Sequence, residues 1–389
     1  MMTTFLDKRA LSTTGIEPVR SVKLRSEFEG LSVLLTGHTG FKGSWLALWL
    51  RELGAKVTGF SLDPPTKPSN YLASDVGSIL QFDYRADIRD RATLEDAIRS
   101  SHPDVIFHLA AQSVVLDGYA QPLETFSVNA LGTATLLDTL RTVGQACAVV
   151  VVTSDKCYAN DESGRAFEEG DPLGGRDPYS ASKAGAELVT AAYREAYFAP
   201  GELDRHGVAI ATARAGNVIG GGDWTAHGVV ADIMRAVEAG VPVQLRRPTA
   251  IRPWQHVLEP LDGYLTLAAH LRSADGAAFC SAWNFGPEAK DEATVGELTE
   301  LLLSARGKGT WEGSSRLNDL PEAGVLRLSI RRAQTELDWQ PRWSLMEAVE
   351  RTANWYSRFE VAPGSARHAC VSDITDYMAA DPGAAGKYL

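Results

Sequence analysis

Tyr179 and Lys183 stand four residues apart in Tyr179-Ser180-Ala181-Ser182-Lys183, a spacing that puts a phenol and an ammonium on one face of a helix. A phenol of ordinary pKa, ~10, becomes a base at neutral pH only where positive charge stabilises the phenolate, and a lysine one turn away supplies such charge. A second group lies upstream. The apolar run Ala148–Thr153 passes directly into Ser154-Asp155-Lys156, placing a hydroxyl, a carboxyl and an amine at the carboxyl end of an expected strand, where open α/β sheets bind ligands. Three such groups can bind, protonate and deprotonate neighbouring carbons of one substrate. Each has a plainer alternative: a tyrosine stacked on a lysine stem, and a helix N-cap beside a surface charge pair.

A reaction of this kind needs a partner for the phenol, and Gly37-His38-Thr39-Gly40-Phe41-Lys42-Gly43 suggests one. The loop follows the apolar run Leu31–Leu35 and precedes the helix-like stretch Ser44–Leu53. Glycines at such a turn let the backbone approach a dinucleotide's pyrophosphate, and the helix N-terminus offers free N–H groups. Gly37, Thr39, Gly40, Phe41, Lys42 and Gly43 are therefore candidate cofactor contacts. Asp63, 20 positions after Gly43, follows the expected second strand, where a carboxylate bonds a ribose 2′-hydroxyl and disfavours a 2′-phosphate, so NAD is expected over NADP. Asp87 and Ile88 read as adenine contacts, with a helix N-cap as the alternative for Asp87.

Strand-like runs at Val33–Leu35, Lys56–Phe60, Val105–His108, Ala148–Thr153 and Val208–Ala213 alternate with amphipathic stretches at Arg91–Ser100, Ser127–Val143 and Ser180–Tyr197. That alternation predicts an α/β fold, a doubly wound parallel Rossmann sheet with helices on both faces, followed by a smaller C-terminal substrate-binding lobe. The expected division is an N-terminal arm over 1–28 and a dinucleotide-binding domain over 29–216, with a returning contribution from about 252–283. The second lobe would take 217–251 and 284–361, with helices at Gly296–Leu303 and Ser344–Tyr356, and a C-terminal tail 362–389. Trp224, Trp254 and Trp283 are expected to pack that lobe.

The chain has 389 residues, 44% hydrophobic and 22% charged, which fits a folded two-lobed enzyme. A net charge of −11 argues against a general nucleic-acid or membrane-surface binder. Cys147, Cys157, Cys280 and Cys370 are scattered without a C-x-x-C pair, so neither a disulfide framework nor a metal site is expected, and a reducing cytoplasm suits them. No apolar run is long enough to span a bilayer, and no signal peptide is recognisable.

Taken together, the glycine loop, His108-Leu109-Ala110-Ala111-Gln112, Thr153-Ser154-Asp155-Lys156 and the Tyr179/Lys183 pair resemble the extended short-chain dehydrogenases/reductases. Within them, Thr153–Tyr158, Asp171–Lys183, Ala213–Trp224, Arg252–Glu259 and Trp283–Pro287 resemble the CDP-glucose 4,6-dehydratases. Lys156 favours that branch, since dehydratases of other nucleotide classes usually carry Thr-Asp-Glu at Ser154-Asp155-Lys156. The resemblance implies NAD as cofactor, with Leu109, Ala110, Ala111 and Gln112 joining the contacts above, and a CDP-hexose as substrate. It implies that Tyr179 is the base at the sugar C4 hydroxyl, with Ser154 holding that hydroxyl and Lys183 supporting the phenolate. Lys156 would be the base at C5 and Asp155 the acid at the C6 hydroxyl. Asn217, Arg252 and, as a third candidate, Arg327 would bind substrate phosphates. Small residues in Ser127–Val143 and Ser180–Tyr197 imply a homodimer through a four-helix bundle.

The chain departs from the pattern at Ser113–Tyr119, where Leu116 and Asp117 stand in place of family arginines, and at Pro321-Glu322-Ala323 and Ser329. Two other functions compete. A sugar-nucleotide 4-epimerase would use Tyr179, Lys183 and NAD without an acid/base pair for elimination, and a non-catalytic NAD-binding sensor or scaffold would keep only the loop.

Overall fold

A computed structural model describes residues 19–313 and 324–380. Its first helix, α1 (Val19–Phe28), leads into β1 (Ser32–Thr36), α2 (Phe41–Glu52), β2 (Lys56–Ser61), β3 (Phe82–Arg85), α3 (Arg91–Ser101) and β4 (Val105–His108). After β4 come α4 (Gly132–Val143), β5 (Cys147–Val152), α5 (Pro178–Ala196) and β6 (Val208–Ala215), then α6 (Val229–Ala239), α7 (Leu258–Leu271) and β7 (Ala282–Phe285). Three longer helices follow: α8 (Val295–Arg306), α9 (Leu345–Val361) and α10 (Ala366–Ala379).

The seven strands form one parallel sheet in the order β7-β6-β5-β4-β1-β2-β3. The order reverses between β1 and β4, and a doubly wound sheet opens its binding crevice at such a reversal, at the carboxyl ends of the strands. The central strands are buried on both faces. Val33, Leu35, Val105, Phe107, Val150 and Val152 share a core with α2 and α7, while Leu34, Ile106, Val149 and Val151 face α3 and α4.

The expected strands are all present, and the sheet gains two that the periodicity did not single out. β3 is a short, mostly exposed edge strand of alternating Phe82-Asp83-Tyr84-Arg85, and β7 carries Trp283. Trp283 therefore packs the main sheet rather than the second lobe, whereas Trp224 meets Trp355, Tyr356 and Phe359. The helix expected over Ser127–Val143 begins earlier, at Pro122, and widens into a π-turn over Ser127–Leu131 before α4. The stretch expected as an arm ends in α1, whose Phe28 is buried and stacks on Phe107 at 6.5 Å. The stretch expected as a tail contains α10, which packs on α2 through Tyr377 against Trp49, ring centroids 5.5 Å apart. Ala369, Cys370, Ile374 and Tyr377 bury one side of it, a stripe diluted in the sequence by alanines and charged residues.

Beyond β6, short pairs replace the long sheet: Val218–Ile219 with Gln255–His256, Ile251–Arg252 with Ala293–Thr294, and Val243–Leu245 with Trp311–Gly313. No helix of the described residues is long and apolar enough to cross a membrane, and no cluster of metal-ligating side chains occurs among them.

Candidate active site

A cleft of about 740 Å³ runs over the carboxyl ends of β1, β2, β4, β5 and β6, a size typical of small-ligand sites. Gly37 opens it with φ +77°, a backbone that side-chain-bearing residues rarely adopt. A Cβ there would sit 2.7 Å from the backbone of Leu109 and Ala110, and one on Gly43 would sit 2.1 Å from the Gly37 carbonyl oxygen. Loop, helix and β4 thus meet at backbone distance. Gly40 is the N-cap of α2 and no side chain caps that helix, so its first amides are left for a ligand. Thr39 anchors the loop to β2 through Ser61 at 2.7 Å and the Leu62 carbonyl at 3.0 Å.

Every residue expected to touch the cofactor lines this one cleft: Gly37, Thr39, Gly40, Phe41, Lys42, Gly43, Asp63, Asp87, Ile88, Leu109, Ala110, Ala111 and Gln112. The N-cap of α3 is Asp90, which accepts from Thr93 N, so that alternative for Asp87 falls away. Asp87 instead takes a two-pronged bond from Arg89 at 2.8 and 2.6 Å, which holds its carboxyl below the usual range.

The candidate catalytic residues Ser154, Asp155, Lys156, Tyr179 and Lys183 line the same cleft, at the end of β5 and the start of α5. Asp177 caps α5 by accepting from Ser180 N at 2.9 Å and Pro178 occupies the first turn, so the helix begins immediately before Tyr179. Tyr179 is buried. Burial raises its pKa, and a hydrogen bond with Ser154 works against that rise. Lys183 is equally enclosed, its ammonium 3.3 Å from the Val152 carbonyl, and burial pulls it down to about 8. Ser154 donates to Asp155 Oδ1 at 3.0 Å; Lys156 Nζ lies 3.5 Å from both Asp155 Oδ1 and Asn217 Oδ1. Asp155 Oδ2 is buried with no hydrogen-bond partner among the described residues.

Asn217 lines the cleft beside Lys156, but Arg252 and Arg327 do not. Arg252 is buried and donates to the carbonyls of Ile251 and Gly324. Arg327 pairs with Glu292 at 2.7 Å and lines a separate, smaller pocket. Among the described residues, the arginines that line the cleft are Arg246 and Arg247, not singled out from sequence; their signal was an adjacent basic pair directly after Val243–Leu245. Leu116, Asp117 and Tyr119 line it too, on the short helix Val115–Ala120. Of the other departures, Pro321-Glu322-Ala323 lies outside the described residues.

Two supporting groups also escaped the sequence reading. Asn129, in the π-turn, accepts from Gln112 N and donates to Gln112 O and Ser182 Oγ, tying the cleft loop to the helix of Tyr179. Glu187, one turn past Lys183, accepts from Thr153, Thr212 and Arg214. The repeat Tyr179, Lys183, Glu187 at intervals of four was the available signal.

Residues 34–276 match the family described as GDP-mannose 4,6 dehydratase. The CDP-glucose 4,6-dehydratase of Salmonella typhimurium is 44% identical over 91% of this chain and 98% of its own length. Among solved structures, a dTDP-glucose 4,6-dehydratase from Streptomyces venezuelae with NAD bound superposes with a TM-score of 0.71, 25% identity, and coverage of 85% of this chain and 99% of that one. A Thermus thermophilus UDP-glucose 4-epimerase with NAD gives 0.69 and 26%, covering 83% and 97%. With its parallel sheet, glycine loop and Tyr179/Lys183 pair, the chain belongs to the nucleotide-sugar 4,6-dehydratase family of the extended short-chain dehydrogenases/reductases.

Proposed function

We propose that this chain is an NAD-dependent CDP-glucose 4,6-dehydratase, which forms the CDP-linked 4-keto-6-deoxy sugar. One observation carries the reading: Ser154, Asp155 and Lys156 line the same cleft as Tyr179, Lys183 and the glycine loop. An epimerase needs the phenol, its lysine and the dinucleotide; elimination of water needs an acid and a second base, and Asp155 and Lys156 are those groups.

The cleft fits a dinucleotide, since the backbone is bare at Gly37 and Gly43 and α2 is uncapped at its start. Bound NAD supplies reversible hydride exchange with the sugar, first at C4 and later at C6. Tyr179 takes the C4 hydroxyl proton, Ser154 orients that hydroxyl and Lys183 stabilises the phenolate against the cost of burial. The C4 ketone acidifies the C5 hydrogen, and Lys156 removes it. Asp155 gives a proton to the departing C6 hydroxyl, which leaves as water; its Oδ2, buried and without a hydrogen-bond partner among the described residues, supports that role. Lys156 then returns its proton to C5.

Arg246, Arg247 and Asn217 are the substrate-side cation and amide groups in this reading, and Leu116 and Asp117 shape the sugar wall. Leu123, Leu131 and Leu188 are 85%, 60% and 60% exposed on the neighbouring helices before α4 and in α5, an apolar patch that suits a two-fold helical interface, so we place a homodimer there. The four buried free thiols suit a cytoplasmic enzyme.

Incubation with CDP-glucose tests the reading. A product lighter by one water, made with no net change in NAD, is expected. An unchanged mass with a new stereoisomer would make the protein an epimerase, and turnover of UDP- or dTDP-glucose in place of CDP-glucose would correct the nucleotide.

A further inference from the structure

Lys42 occupies a position in the glycine loop where the backbone does the binding, yet its side chain turns toward the reacting end of the cleft. Its ammonium lies 3.4 Å from the Tyr264 hydroxyl and 5.9 Å from the centre of that ring, on α7. The charges acting on it are those of Asp155, Lys183 and Lys156. Three lysine side chains thus share this corner with the one carboxyl group of Asp155, and no carboxylate among the described residues forms an ion pair with Lys42. Burial brings its pKa down to about 8, so it is cationic at neutral pH.

We infer that Lys42 biases the bound nicotinamide toward its reduced, uncharged form. The inference rests on the reading that the cleft holds NAD. Oxidation at C4 sends the carbon's hydride to the nicotinamide ring and the hydroxyl proton to Tyr179, so the ring passes from one positive charge to none. A fixed cation nearby disfavours the first state and is indifferent to the second. The consequence suits a dehydratase: the hydride stays on the cofactor while Lys156 and Asp155 carry out the elimination.

Partition between NAD⁺ and NADH tests this without catalysis. The purified protein is equilibrated with mixtures of the two forms, and the bound ratio is read from reduced-nicotinamide fluorescence. Lys42→Met and Lys42→Gln are expected to lower the bound NADH to NAD⁺ ratio about tenfold at pH 7, and Lys42→Arg to keep it. The two forms carry the same diphosphate, so a lysine that only grips the diphosphate, or only steadies the loop, would weaken both alike. An unchanged ratio in the Met and Gln variants overturns the inference. A parent protein that binds neither form overturns the NAD reading itself.

Discussion

The carboxylate of Glu187 meets the guanidinium of Arg214 at 2.8 Å with both side chains almost wholly withdrawn from water. Arg214 also donates to the Tyr158 hydroxyl at 2.9 Å and the Glu169 carbonyl at 3.0 Å, while Glu187 accepts from Thr153 at 2.5 Å and Thr212 at 2.8 Å. Helix α5 is thereby fixed in rotation against β5 and β6, two turns beyond Tyr179. Arg214→Met strands a buried carboxylate, and stability should fall by about 3–5 kcal/mol in denaturant unfolding. Arg214→Met combined with Glu187→Leu should regain much of that loss; a single variant as stable as the parent would show that the pair does not hold the helix.

Tyr179→Phe keeps the ring in its buried site and deletes only the hydroxyl. Turnover should fall by about 10²–10⁴-fold with bound NAD retained, and rapid-mixing absorbance should show no reduced cofactor after CDP-glucose is added. Reduction at the parent rate would remove Tyr179 from the role of base.

Lys156→Ala separates the two halves of the reaction. Reduced cofactor should still form, because Tyr179 and Lys183 are untouched, but hydrogen at C5 should no longer exchange with deuterated solvent. Exchange seen by mass spectrometry would assign the C5 base to another group. Asp155→Asn should also allow cofactor reduction and should retain that exchange while blocking loss of water.

Glu259 lies at the junction of α7, the loop before α9, and α10. Its carboxylate accepts from Arg342 N at 3.1 Å, Trp343 N at 2.8 Å and the Tyr377 hydroxyl at 2.7 Å, yet burial outweighs these bonds and pushes its pKa up to about 7. The folded state holds this proton more tightly than the unfolded chain does. The contribution of Glu259 to stability is therefore greatest in mild acid and declines as pH rises through about 7, on the order of 3 kcal/mol across the interval. Glu259→Gln, which keeps the shape and removes the charge, should flatten the dependence between pH 5 and 8 in urea titrations. Parallel curves for parent and variant would refute it.

The sheet, and the gathering of Ser154, Asp155, Lys156, Tyr179 and Lys183 in one cleft, were readable because each follows from local pattern. Apolar runs mark strands, and the spacing of Tyr179 and Lys183 marks a helix face. The basic wall of the cleft was not, since Arg252 and Arg246 differ by six positions in a lobe of two- and three-residue strands, and only the folded path shows that Arg252 donates to backbone carbonyls while Arg246 lines the cleft. Asn129 was hidden for another reason: its position depends on one widened helical turn that no residue pattern announced. The packed helix α10 was missed because alanines and charges dilute its buried stripe.

That helix reaches back across the whole molecule. Cys370 touches Asn70, Arg367 donates to the Ser74 carbonyl at 2.8 Å, and Tyr377 rests on Trp49, in the helix that carries Lys42 and Gly43. A ribosome making this chain must extrude more than three hundred residues after Trp49 before that helix gains its cover. A fragment cut near residue 216 would present Trp49 to water, so the dinucleotide half should be an aggregating piece on its own, and cofactor capture should come late in biogenesis.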